Sequence, residues 1–174
     1  MKLQVPTLEQ CQKVRLWRNE SMESLRTPYE LTEEMQEDFY RDVICNRNSP
    51  HRYWSIITEP EEFGKTPFFI GFGGITNIQW ENRLGEISLI ISPSLRQGGL
   101  GQKAVDLLLD KAFNYMNLHT VCGECYCCNP AKDFWKEVNR ECGGTWAYLP
   151  DRKYWNGSYY NSLYFSFDKG SYVK

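Results

Sequence analysis

The 174-residue chain is short of several things, and each shortage excludes a class of protein. No apolar run approaches the roughly 18 residues that a membrane-spanning helix needs. The opening Met1-Lys2-Leu3-Gln4-Val5-Pro6-Thr7 lacks the apolar centre of an export signal. No repeat, low-complexity tract or Pro/Gly/Ser-rich linker interrupts it, so a single domain over residues 1–174 is expected. Neither sign of charge dominates: 20 Lys and Arg against 22 Asp and Glu leave −2. That balance argues against duplex nucleic acid as a main partner, because phosphate binding relies on a clustered basic surface. Histidine is scarce, and His51 and His119 stand isolated. The expectation is a soluble, cytoplasmic domain with no membrane partner.

What the chain does have is ordinary globular composition, 41% hydrophobic and 24% charged, with aromatics high at 15%. Those flat side chains must fill the core or line a cleft. There are seven cysteines, an odd number, four of them in Cys122-Gly-Glu-Cys125-Tyr-Cys127-Cys128. Without an export signal, reduced thiols are the default. A zinc knuckle through Cys122 and Cys125 would need two further ligands, and no second Cys-x-x-Cys exists. On a strand, positions three apart point to opposite faces and cannot chelate one ion. Buried thiols acting as small hydrophobes are the stronger reading, and no metal site is expected.

Thr7 followed by Gln10 reads as a capping box that opens a helix through about Asn19. Thr32 caps a second, with Met35, Phe39 and Val43 along one stripe. Tyr53 to Thr58, Phe68 to Ile78 and Glu86 to Ser92 are rich in aromatic and β-branched residues and read as an antiparallel meander. A helix from Gln102 to about Met116 follows, then a strand from Thr120 to Cys128. Pro130 fits the first position of another helix, whose stripe includes Phe134, Trp135 and Val138. Thr145 to Leu149 and Tyr159 to Phe167 are the last strands, separated by a loop containing Asn156-Gly157. A short first strand at Leu3 to Val5 fits before them all, in a mixed α+β domain.

The sharpest motif is Ser92-Pro-Ser-Leu-Arg96-Gln97-Gly98-Gly99-Leu100-Gly101, set between a strand and a helix. Glycines let a backbone approach a ligand closely, and the following helix starts with unpaired amides and partial positive charge. Arg96 adds a bidentate donor for phosphate. Such a segment is an anion cradle or simply a glycine turn into a helix, and spacing alone leaves both readings open.

With that loop the sequence resembles the GNAT acetyltransferases, whose pyrophosphate loop reads Arg/Gln-x-x-Gly-x-Gly/Ala and is matched by Arg96-Gln-Gly-Gly99-Leu-Gly101. The surrounding order, strand, loop, helix, strand, then Asn129 and a helix, is similar to the family's. Trp17-Arg18-Asn19 resembles the branch of ribosomal-protein N-terminal acetyltransferases. His51-Arg-Tyr53, Gly71-Phe-Gly-Gly-Ile75-Thr and Leu118-His119 resemble the branch that acetylates amino-sugar nucleotides. The resemblance implies a mostly antiparallel central sheet of six or seven strands, splayed between the fourth and fifth, with about four helices. It also implies a site for acetyl-CoA as co-substrate. The pantetheine arm would pair with Ile90, Ile91 and Ser92, the pyrophosphate would rest on the amides of Gln97, Gly98, Gly99, Leu100 and Gly101, and Asn129 would lie near the pantetheine. Asn129 also reads as a helix cap, and one residue can do both.

Amine acetylation needs a base for the ammonium proton and a donor that polarises the carbonyl. Strand alternation puts Glu86, Ser88 and Ile90 on one face, and Glu86 resembles the catalytic glutamate of several family members. A cross-strand partner for Arg83 is the other reading of Glu86. The tyrosine that many members carry seven residues after the asparagine is here Lys136, so thiolate protonation falls to a water, to Tyr126 or to a tyrosine of the final hairpin. Asp151 to Tyr160, dense in aromatics, reads as a binding lip or as an ordinary hairpin loop. The expectation is an N-acetyltransferase acting by direct transfer on a primary amine, either a protein N-terminus or a small amine or amino sugar. The alternatives are a non-catalytic acyl-CoA-binding module and, further off, a zinc-dependent nucleic-acid binder. Leu163, Phe165 and Phe167 either pair with a second subunit in a homodimer or are covered within one chain.

Overall fold

The computed structural model describes residues 1–60, 66–96 and 99–172. Its elements are β1 (Lys2–Gln4), α1 (Leu8–Asn19), α2 (Glu33–Phe39), β2 (Arg52–Ile57), β3 (Phe69–Gln79), β4 (Leu84–Ile91), α3 (Leu100–Asp110), β5 (Thr120–Tyr126), α4 (Lys132–Glu141), β6 (Thr145–Trp155) and β7 (Ser158–Asp168). The capping box is formed: the Gln10 amide donates to Thr7 Oγ1 at 3.2 Å and the Thr7 amide to Gln10 Oε1 at 3.0 Å. Thr32 accepts the Met35 amide at 3.3 Å and so starts α2. Wide π turns at Tyr40–Ile44 and Lys111–Tyr115 extend α2 and α3.

Seven strands form one sheet in the order β1-β2-β3-β4-β5-β7-β6. Every neighbouring pair is antiparallel except β4 and β5, which run parallel. Their pairing covers Leu84↔Thr120, Gly85↔Val121 and Glu86↔Cys122 and then stops, although β4 continues to Ile91 and β5 to Tyr126. The sheet therefore opens into a V just past Glu86. The expected fold class, with its splay and its four helices among the described residues, is the one observed.

Two layers of helix cover the sheet. On one face Cys11 and Val14 of α1 pack with Phe72, Tyr53, Phe39 and Ile90. On the other, Val105, Leu108 and Leu109 of α3 and Trp135 and Val138 of α4 enclose Ile87, Val121, Phe165 and Phe167. Trp135 stacks on Phe165 with ring centroids 4.8 Å apart, so its helical phase made it core. Leu163, Phe165 and Phe167 are likewise buried inside the chain, which removes them as a subunit interface.

Three expectations on element bounds are corrected. Pro130 and Ala131 form a turn and α4 starts at Lys132, because Asn129 folds the chain back on itself first. Thr145–Trp155 and Ser158–Asp168 make one long hairpin closed by Asn156-Gly157, both at positive φ, so most of Asp151 to Tyr160 is strand rather than lip. Met35 is largely exposed rather than part of a buried stripe. All seven cysteines are free. Cys125 enters the core under α4, whereas Cys122 lies on the opposite, Glu86 side of β5. Among the described residues no helix is long and apolar enough to cross a membrane.

Candidate active site

The pleat of β4 turns Glu86, Ser88 and Ile90 toward α1 and α2, while Ile87, Leu89 and Ile91 face the α3 side. The Glu86 side chain is 19% exposed and its partner is Arg26, from the segment after α1. Arg26 Nη2 donates to Oε1 at 2.5 Å and Nη1 to Oε2 at 3.3 Å, while Asn77 Nδ2 donates to Oε2 at 2.9 Å. Arg83 is turned away and donates to the Asn117 carbonyl at 2.8 Å, so the cross-strand pairing weighed from the sequence is not formed. A carboxylate offers about four lone-pair sites. Three are taken, which leaves one on Oε1.

Asn77 is itself held in place. Its amide donates to His51 Nδ1 at 3.1 Å, a bond that requires the proton of the neutral ring on Nε2. Burial first, and the Arg52 charge second, push the His51 pKa below its ordinary value and favour that neutral ring. Arg26 also reaches Glu124 Oε2 at 3.3 Å, and Glu124 Oε1 accepts from Arg152 at 2.9 Å and from Ser162 at 2.7 Å. Burial alone would raise the Glu124 pKa, but the bonds from Arg152 and Ser162 outweigh it and hold it below the usual carboxylate range.

Past the last β4–β5 pair, the edge of β4 is open. The Ser92 amide donates to the Ile70 carbonyl on the β3 side, and the Arg83 carbonyl accepts from His119 and Thr120 on the β5 side. Backbone groups alternate along a strand. Leu89 and Ile91 therefore turn their amides and carbonyls into the V, where no strand among the described residues meets them. Ile90 and Ser92 direct theirs to β3, so of the three expected pantetheine partners it is Ile91, with Leu89, that offers a free edge.

Arg96, and Gly99 at the start of α3, follow the end of β4 and the short turn Pro93–Leu95. Gly99 has φ +71° with nothing within 4 Å of where a Cβ would stand, a left-handed turn that delivers the chain into α3. Leu100 is buried among Ile56, Ile70 and Ala104, so only its backbone faces outward. A Cβ on Gly101 would come within 3.1 Å of two ring carbons of Phe134, which explains that glycine by the close approach of α3 and α4. Gln97 and Gly98 lie outside the described residues. Arg96 folds back into the V: Nε donates to the Ile91 carbonyl at 3.5 Å and Nη2 to Ser21 Oγ at 3.2 Å. Asn129 is not the cap expected of it, since the N-cap of α4 is Ala131 and carries no side-chain bond, but it shapes the turn just before the helix. Oδ1 accepts the Ala131 amide at 2.8 Å to shape the start of α4, and Nδ2 donates to the Ser24 carbonyl at 3.2 Å.

One segment joins these residues. Ser21 meets Arg96, Glu23 accepts from the Cys128 thiol, Ser24 meets Asn129, and Arg26 bridges Glu86 and Glu124. Lys153, nearly buried on β6, donates to the Met22 carbonyl at 3.2 Å and to that of Leu25. The strap from Ser21 to Arg26 thus forms one wall of the V. Sequence reasoning missed Arg26, Glu124 and Lys153, which meet only through contacts 60 to 131 residues apart. Behind the strap is a cavity of about 260 Å³ bordered by Arg18, Leu25, Gln36, Tyr53, Phe72 and Ser88.

Lys136 is no substitute for the family's tyrosine: its Nζ sits over the rings of Tyr148 and Trp146, at 5.3 and 5.6 Å, on the outer surface. Tyr126 ends β5 on the same face as Glu124, and burial raises its phenol pKa above the ordinary value. Tyr164 is pushed up to about 12, chiefly by its hydrogen bond with the Cys122 thiol. Among the described residues no group of three His, Cys, Asp or Glu side chains is placed to hold a metal ion.

The features fit a particular ligand shape. A free strand edge suits an extended arm carrying amides, and a helix start after a left-handed glycine, with an arginine beside it, suits a diphosphate. Acetyl-CoA has both parts. No curated protein sequence matches the chain. Among solved structures, spermidine N-acetyltransferase from Vibrio cholerae in complex with CoA and spermine is 18% identical and superposes with a TM-score of 0.84 over 99% of this chain and 98% of that one. The dodecameric spermidine N-acetyltransferase of that organism in an intermediate state gives 0.80, at 18% identity, over 99% and 96%. A family model described as an acetyltransferase (GNAT) domain matches residues 3–133. The splayed sheet, the glycine loop and that match over most of the chain lead to one conclusion: the protein belongs to the GNAT acetyltransferase family.

Proposed function

We propose that the protein moves an acetyl group from acetyl-CoA to a primary amine, directly, while both are bound. The observation that carries this reading is the opening of β4 from β5 immediately beside Glu86, whose Oε1 keeps one lone pair free. In the proposed reaction Glu86 takes one proton of the acceptor ammonium, directly or through one water, the amine nitrogen bonds to the thioester carbon, the C–S bond breaks, and the second proton leaves the nitrogen to replace the one that Tyr126 gives to the thiolate. Tyr126 is the group we assign to protonate the departing thiolate, since it ends β5 on the Glu124 side and carries a phenol proton at neutral pH. The backbone of Leu89 and Ile91, residues Gln97 to Gly101, Arg96 and Asn129 are assigned to bind the co-substrate. Arg96 and Asn129 exchange their present partners on the strap for it.

Direct transfer is supported by the thiols on the V side. Burial raises the pKa of Cys122 and of Cys128, and thiols so protonated are poor acyl carriers. The acceptor class includes small amines, such as the spermine held by the Vibrio cholerae neighbour, amino sugars and peptide N-termini. The cavity of about 260 Å³ lies below the roughly 300–1,000 Å³ of most ligand pockets, which favours a small acceptor. The reading includes a cytoplasmic setting, in keeping with seven free thiols, and a homodimer paired along the unoccupied edge of β6. Light scattering of the purified protein tests the dimer.

The deciding experiment is release of free CoA thiol from acetyl-CoA across a panel of amines. Turnover with at least one amine is expected. Binding of CoA without thiol release on any amine would instead establish the non-catalytic acyl-CoA-binding alternative.

A further inference from the structure

The cavity behind the strap, which Ser88 lines two residues along β4 from Glu86, is bordered by a charge that no described carboxylate pairs with. Arg18, in α1, borders it. One of its donors is used, Nη2 to Thr27 Oγ1 at 3.0 Å, while Nε is buried with no partner among the described residues. Its neighbours among ionisable groups are the phenols of Tyr53 and Tyr29, and among the described residues no carboxylate pairs with it. Other arginines of this region are matched. Arg15 pairs with Glu33, Arg26 with Glu86 and Glu124, and Arg152 with Glu124. Arg18 is half-buried, its Nε is shut off from water, and a guanidinium in that position without a counter-charge is unfavourable, a cost that a ligand of opposite charge relieves.

The rest of the lining sharpens the point. Among the described residues that line it, Arg18 is the only charged side chain, with Gln36, Tyr53 and Ser88 polar and the remainder apolar, so none of them is a carboxylate to pair with a second ammonium. Ser88 lies two residues beyond Glu86 on the same strand face, a separation of roughly 7 Å. A short molecule with its amine at Glu86 extends along that strand face into the cavity that Arg18 borders.

We infer that Arg18 selects an acceptor bearing a carboxylate, so that the substrate is a small amino-acid-like amine with an apolar body rather than a polyamine. The inference rests on the acetyltransferase reading and deepens it. A carboxylate is favoured over a phosphate because one guanidinium balances one negative charge, and its planar fork matches planar carboxylate oxygens.

Calorimetric titration into the CoA-saturated protein tests this without turnover. The ligands are apolar amino acids, the amide and the decarboxylated amine of each, O-phosphoethanolamine and spermidine. At least one amino acid is expected to bind tenfold or more tighter than its amide and its decarboxylated twin. Arg18→Met is expected to bring those ratios to within about twofold of one, and Arg18→Lys to keep part of them. Thermal unfolding and CoA titration of both variants confirm that they are folded. Equal binding of acid and amide, ratios that survive Arg18→Met, no amine bound at millimolar concentration, or preference for spermidine or the phosphate would each overturn the inference. Thiol release on the same panel is a separate readout: amines acetylated without any carboxylate preference would sink the role of Arg18 and leave the acetyltransferase reading standing.

Discussion

Replacing Glu86 by Gln separates its catalytic role from its structural one. The substitution keeps the shape but removes the charge and turns one acceptor into a donor. That new NH2 must face either Asn77 Nδ2, now 2.9 Å from Oε2, or the Arg26 guanidinium, now 2.5 Å from Oε1. One donor is left facing another, but the Arg26 side chain is 52% exposed and water can repair much of the loss. The structural cost is therefore about 1 kcal/mol, a fall in Tm of roughly 2–4 °C for a chain of this size. A general base contributes about 10²–10⁴ to the rate, or roughly 3–5 kcal/mol at 1.36 kcal/mol per tenfold. Steady-state thiol release should thus show kcat reduced at least a hundredfold, with KM for acetyl-CoA within about threefold of the parent. A variant that keeps more than about a third of the parent kcat would refute the assignment of Glu86 as base, whatever its Tm.

Tyr126→Phe should lower kcat by about 10²-fold or more and leave Tm within a few degrees, measured by the same thiol assay and by thermal unfolding; unchanged kcat would return the acid role to Tyr164 or to water. Gly101→Val forces methyl groups into the Phe134 ring, with an expected cost of about 1–3 kcal/mol that shrinks in a Phe134→Ala background. An undiminished cost there would mean that the glycine serves something other than helix packing. Stability should depend on pH in two windows. The lowered His51 pKa means that the unfolded chain binds more protons between that value and about 6.5, so stability is full above about 6.5 and falls as pH drops below it. The lowered Glu124 pKa acts in the same direction but only below about 4.3. Chemical denaturation at a series of pH values should show the upper step vanish in a His51→Gln variant.

How much of this was readable from residues alone depended on how local each cause was. Thr7 with Gln10, and Thr32, act on amides three residues away, and both caps appear as written. The face of Glu86 followed from strand period alone. Trp135 followed from helical phase, and the two-residue Asn156-Gly157 turn from its need for positive φ. The hairpin around that turn is longer than expected because cross-strand pairing from Lys153↔Tyr160 to Trp155↔Ser158 overrides polar composition that otherwise resembles a loop. The partners of the site were not legible. Arg26 finds Glu86 across 60 residues and Glu124 across 98, and Lys153 finds Leu25 across 128, with no local pattern to announce them. Gly101 shows the converse case. Its place in a phosphate-loop motif suggested a ligand, yet the ring of Phe134 is sufficient reason for it.

The central claim is that the free edge of β4 receives the amide-bearing arm of the co-substrate as a strand would. Site-resolved hydrogen exchange with and without saturating CoA measures that edge directly. The account predicts that the amides of Leu89 and Ile91 slow by at least tenfold when CoA is bound, while those of Ile90 and Ser92, already directed to β3, change little. Exchange at Leu89 and Ile91 that stays as fast with bound CoA as without it would contradict the account.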